Sequence, residues 1–149
     1  HRVIPSGPTI ADMMANAALF YGLVQALAHK AEAPERRLPF ETARENFYRA
    51  ARDGLSSPIE WPGRGAVQAD ELLRSELIPL AGEGLASLGV DDADIRQMIR
   101  TLDDRAASGQ TGSAWQRAYC AQHRCSFRDM TEAYLRNQQS GRPVHSWTV

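Results

Sequence analysis

At 149 residues and 16.5 kDa, with 43% hydrophobic and 23% charged residues, the chain has the make-up of one soluble globular domain able to bury a core. A net charge of −1 and a pI of about 6.5 leave no basic excess with which to hold nucleic acid or an anionic membrane. The longest apolar run, Ala11 to Ala28, is interrupted by Asp12, Asn16, Tyr21, Gly22 and Gln25, so it reads as a helix too polar to span a bilayer unaided, and no charged segment precedes it as a signal peptide requires.

The chain opens His1-Arg2-Val3-Ile4 without an initiator methionine, which reads as a cut, processed or renumbered piece with something upstream. Arg2 to Pro5 reads as the end of a strand that breaks at proline, and a lone strand needs partners from elsewhere. Residues 1–7 are thus a strand end, residues 8–141 helical and residues 142–149 a tail docked on the helices.

Thr9 can cap a first helix with Asp12 at its third position, and Met13, Ala17, Phe20, Val24 and Leu27 recur at helical spacing to about Lys30. Ala15, Ala18 and Gly22 allow close approach of neighbours, and the thick apolar coat implies deep burial. Ala31 to Pro39 is a charged connector bounded by proline. A second helix runs from Phe40 to Asp53 and stops at Gly54.

On that second helix Glu45, Asn46, Arg49, Arg52 and Asp53 fall within about a third of the circle, opposite Phe40, Ala43, Phe47, Ala50 and Ala51. Two guanidinium forks held together on a rigid element can grip phosphate or carboxylate oxygens. The plain alternative is a solvated face on which Glu45 pairs with Arg49.

Ser56 to Gly65 reads as a Pro- and Gly-rich loop carrying Trp61, with room for a short extended piece. Helical periodicity returns from Val67 to Leu88, where Pro79 predicts a kink or break and hence two shorter helices. Asp91 opens a helix that ends at Gly109, Gly112 or Ser113 starts one reaching about Gln122, and Ser126 with Asp129 opens the last, ending near Gly141. Trp115 and Trp147 read as packing anchors. No repeat of 20 to 50 residues appears.

Three segments together resemble one known family. Pro8-Thr9-Ile10-Ala11-Asp12 ahead of an Ala-rich helix, the stretch Asn46 to Gly54, and Gly109-Gln110-Thr111-Gly112-Ser113-Ala114-Trp115-Gln116-Arg117 occur in the order of the C-terminal part of the bacterial glutamate–cysteine ligase family 2, the carboxylate-amine ligases. The resemblance implies a mainly α chain that is the helical C-terminal portion of an α+β, glutamine-synthetase-like ligase, with a short N-terminal strand. It implies ATP and Mg²⁺ in the complete enzyme, held by glutamates on strands of an upstream sheet-bearing segment. No comparable strand-borne carboxylate cluster is found here, so the chain alone is expected to bind neither and to be catalytically silent.

The implied reaction joins the carboxylate of glutamate or a similar acid to an amine through an acyl phosphate, with small amino-acid substrates. Arg49 and Arg52 would act as catalytic clamps on anionic oxygens, Asn46 would orient them, and Arg2, Thr111, Gln116 and Arg117 would contact ATP or substrate. Members of the family often carry an aromatic residue where this chain has Asp53, which here would partly neutralise Arg49 and puts substrate identity in doubt. The Gly109–Gly112 run also reads simply as a helix stop and restart, and it lacks the pattern of a P-loop.

Cys120, His123 and Cys125 supply three ligands where structural zinc takes four, so the expectation is no metal site and two reduced thiols in a cytoplasmic protein. A rival reading from another class is a non-catalytic helical module that binds another chain through its apolar first helix. Oligomeric state, a homo-oligomer included, is left open.

Overall fold

The computed structural model describes residues 6–30, 32, 34–124 and 126–149, and the chain is mainly α. The strand end expected over Arg2 to Pro5, and with it the candidate Arg2, lies outside the described residues. The α-helices are α1 (Ile10–Ala28), α2 (Pro34–Arg37), α3 (Phe40–Asp53), α4 (Ala69–Leu72), α5 (Ile78–Ser87), α6 (Asp92–Ser108), α7 (Gly112–His123) and α8 (Phe127–Gln139). A single antiparallel hairpin, β1 (Pro58–Trp61) and β2 (Gly65–Gln68), lies between α3 and α4 with Ile59 opposite Val67.

The hairpin corrects the reading of residues 56–68 as loop and early helix. Ile59 and Val67 are buried on one face while Pro58, Ala66 and Gln68 face out, so the short alternating pattern decides for strand. Pro79 produces no open break. The chain passes from α4 through a π turn at Leu73–Leu77 directly into α5, so the interruption expected at Pro79 takes the form of that π turn, which ends just before the proline and divides the segment into two shorter helices.

Helix ends follow local chemistry. The Thr9 hydroxyl accepts from the Asp12 amide at 3.2 Å, and Asp91 accepts from the amide of Ala93 at 2.7 Å. Ser126 and Asp129 form a reciprocal capping box on α8. Gly109 closes α6 in the left-handed region at φ 66°, where a side chain would be strained.

α1 departs most from expectation. It buries its small face, Ala15, Ala18 and Gly22, together with Asp12, and exposes Ile10 at 74%, Tyr21 at 59%, Met14 at 54% and Val24 at 50%. By length and composition alone α1 could cross a membrane, yet here its buried side packs on α5 and α6. The α1–α5 contact is made backbone to backbone. A Cβ added at Gly22 would strike the carbonyl oxygen of Ala81, and one added at Gly84 would strike that of Gly22.

Three apolar clusters stand in place of one large core. Ala15, Ile78 and Leu102 join α1, α5 and α6; Ile59, Val67 and Leu72 join the hairpin to α4; Trp115, Ala133, Val144 and Trp147 join α7, α8 and the tail. In the last cluster the Trp115 ring stacks on Tyr119 at 4.9 Å and meets Trp147 edge-on at 5.6 Å. Polar bonds pin the tail as well. The Trp115 indole donates to the carbonyl of Thr148 at 2.9 Å, and the Gln110 amide donates to the carbonyls of Val144 at 2.7 Å and Trp147 at 2.8 Å.

The first and third clusters meet at Asp12, which is fully buried. Its carboxylate accepts from the Thr9 hydroxyl at 2.8 Å, from the Val144 amide at 3.1 Å and from the Arg105 guanidinium at 3.3 Å. Burial pulls the Arg105 guanidinium below its usual pKa, and the charge and hydrogen bond of Asp12 oppose that fall. Asp12→Ala strands Arg105 without its acid and is expected to cost about 3–5 kcal/mol in urea denaturation. Gly84→Ala forces α1 and α5 apart against backbone that cannot yield, with an expected loss of about 1–3 kcal/mol by the same measurement.

Candidate functional site

α3 carries the residues with the strongest chemical pattern, and its orientation is set by Asn46. The Asn46 side chain donates to the carbonyl of Glu60 at 2.8 Å and accepts from the Glu60 amide at 3.0 Å, so it pairs with β1 as a neighbouring strand would. Asn46 is the buried residue of α3, and both polar ends of its amide are engaged there. Docking on that side turns Phe40 (76% exposed), Phe47 (63%) and Tyr48 (64%) out to solvent. The apolar side of α3 is therefore the free one.

Arg49 is half-buried and donates to Glu45 at 3.0 Å across one turn. Arg52 makes a two-pronged pair with the adjacent Asp53, Nε to Oδ1 at 3.0 Å and Nη2 to Oδ2 at 2.8 Å. The hydrogen bonds from Arg52 hold the Asp53 carboxyl below the usual carboxylate range, and those to Asp53 raise Arg52 above its usual value. Asp53 thus neutralises Arg52, whereas Arg49 takes its acid from Glu45. The two guanidinium groups share a helix face, each with its own carboxylate.

The remaining candidates lie elsewhere. Thr111 caps α7, its hydroxyl accepting from the Ala114 amide at 3.2 Å. Gln116 is half-buried and Arg117 exposed on α7. Gly112 lies against Pro8: a Cβ added there would stand 3.1 Å from the Pro8 ring and 3.0 Å from the Tyr134 hydroxyl. The Gln138 amide donates to the carbonyl of Pro8 at 2.8 Å. Two of the three family-like segments are therefore brought together in space, while the Asn46 segment is carried on the hairpin.

His123 packs its ring on Tyr119 at 4.4 Å, and Cys125 lies outside the described residues. Among the described residues no three His, Cys, Asp or Glu side chains converge on a point that would hold a metal ion.

Sequence reasoning missed Asp12, Arg105 and Gln110 as the residues that order this end of the fold. Asp12 carried a local signal, as a capping residue on an apolar helix, but Arg105 lies 93 residues away and nothing local announces it.

Asn46→Ala removes both bonds to Glu60 and is expected to cost about 1–3 kcal/mol in urea denaturation. Arg52→Ala, a change at an exposed position, should leave the urea midpoint of the parent chain essentially unchanged.

No family model, curated protein or solved structure matches the chain.

Proposed function

We propose that the chain is the helical C-terminal portion of an ATP-dependent carboxylate-amine ligase of the glutamate–cysteine type. The observation that carries the reading is the set of three family-like segments in family order, two of which, around Pro8 and around Gly112, touch although about a hundred residues separate them. Shared position in the fold gives one reason for both runs to be present.

The donor set of this chain does not by itself fit ATP and Mg²⁺. Acidic side chains do not converge among the described residues, and Arg49 and Arg52 are each held by an acid. Nucleotide and metal belong, in this reading, to an upstream sheet-bearing segment, as the resemblance to the ligase family implies. The chain's own part is to carry Arg49 and Arg52 on a helix that Asn46 fixes, where an anionic substrate group can displace Glu45 or Asp53. The exposed apolar sides of α1 and α3 fit the same reading, since large apolar patches call for a cover.

The second reading, a non-catalytic interaction module, is favoured by one observation: Ile10, Met14, Tyr21 and Val24 are exposed at helical spacing on one side of α1, and the first three line a cleft with α5 and α6.

ADP release by the full-length natural protein, supplied with Mg-ATP, glutamate and a panel of amines including cysteine, separates the two. The ligase requires release that depends on the amine, and a fall in kcat/KM of about a hundredfold for Arg49→Ala or Arg52→Ala. Unchanged turnover in either variant removes that arginine from the site. Absence of turnover together with loss of a partner on Met14→Glu would establish the interaction module instead.

A further inference from the structure

A pocket of about 320 Å³ opens between the end of α1, α2, the hairpin and the π turn, and none of its lining residues belongs to the Arg49–Arg52 face. Its volume lies at the lower end of the range for small-molecule sites. Trp61, Leu38 and Leu80 give it an apolar wall, while Lys30, Arg37 and Glu76 bring charge. The mixture has a definite arrangement along the chain. Both cations and one acid, Glu32, come from α2 and the residues just after α1, and the second acid, Glu76, comes from the π turn.

Glu76 is placed by that turn. One oxygen of its half-buried carboxylate accepts from the Trp61 indole at 2.8 Å, which fixes both side chains on one wall. A carboxylate has further acceptor sites, so a second donor can be met without breaking this bond. π turns interrupt a helix at a cost, and they recur at functional sites.

Arg37 meets Glu32 at 3.7 Å, longer than a charge-assisted hydrogen bond, and its Nη2 leans towards the hairpin turn, 3.6 Å from where a Cβ of Gly63 would stand. Glu32 holds the fork only at this longer distance and at an exposed position, so an incoming carboxylate can take its place on Arg37. Lys30 is the second cation of the lining.

We propose that this pocket binds an apolar α-amino acid as its zwitterion, with the ammonium on Glu76, the carboxylate on Arg37 and Lys30, and the side chain against Trp61, Leu38 and Leu80. An analogue without the ammonium leaves Glu76 with the Trp61 indole alone, and one without the carboxylate leaves Arg37 on the distant Glu32, so each half-charged analogue forgoes one of the two charged contacts, which is where discrimination comes from.

The test is calorimetric titration of the 149-residue chain with L-phenylalanine, 3-phenylpropanoate, which lacks the ammonium, and 2-phenylethylamine, which lacks the carboxylate. L-Phenylalanine should bind at least about tenfold more tightly than either analogue. Glu76→Gln keeps an oxygen for the Trp61 indole, so the near-ultraviolet dichroism should persist while affinity for L-phenylalanine falls to that of 3-phenylpropanoate. Arg37→Met, a change at an exposed position, should lower it to that of 2-phenylethylamine. Equal binding of all three compounds, no binding up to about 10 mM, or full affinity in folded Glu76→Gln or Arg37→Met would overturn the proposal.

Discussion

A carboxylate with no access to water organises one end of this molecule. Asp12 is taken out of solvent on a helix whose other buried positions are alanine and glycine, and such a charge is tolerated only when its lone pairs are filled and an opposite charge is close. The groups that fill them come from three places: the cap of its own helix, the amide of Val144 in the tail and Arg105 on α6. α1, α6 and the tail are thereby obliged to meet at one point. The aromatic cluster of α7, α8 and the tail is brought to that point because Val144 and Trp147 belong to it.

Away from Asp12, geometry takes over from charge. Gly22 and Gly84 let α1 and α5 touch through their backbones, so a large contact forms with little side-chain mass between the helices. Because the small residues of α1 are spent on this contact, several of its large ones, Ile10, Met14, Tyr21 and Val24, are left exposed. A similar trade occurs on α3, where two hydrogen bonds from Asn46 to the hairpin decide which side faces in, and the phenylalanines are left outside. In both helices a close or directional contact prevails over the burial of bulk apolar surface, and both exposed stripes follow from that one preference.

The same preference explains what could be read from the chain beforehand. Caps and stops are local, so Thr9, Asp91, Ser126 and Gly109 marked helix ends correctly, and the mainly helical character followed from them. Which side of a helix faces in is not local when the wheel is apolar nearly all round, as for α1, or when one buried amide outweighs several exposed rings, as for α3. Of the hairpin only a short extended piece within Ser56–Gly65 was legible, because its strands are four residues each and the second, Gly65–Gln68, runs straight into a helical pattern. Of the candidate site, the grouping of Arg49 and Arg52 on one face was legible; the acids that hold them, and the bond between Glu76 and Trp61, depend on side-chain geometry that spacing does not encode.

The bond from the Val144 amide to Asp12 spans 132 residues. During synthesis α1 emerges with its acid long before either Arg105 or Val144 exists, and until they arrive the carboxylate must stay hydrated, which keeps that face of α1 from settling on anything apolar. The acid therefore makes the small-residue face of α1 conditional: that face can be covered at low cost only where Arg105 and the Val144 amide are both at hand. Contacts of such sequence separation are the costly ones to close, and through them the integrity of the first helix depends on Arg105 and Val144.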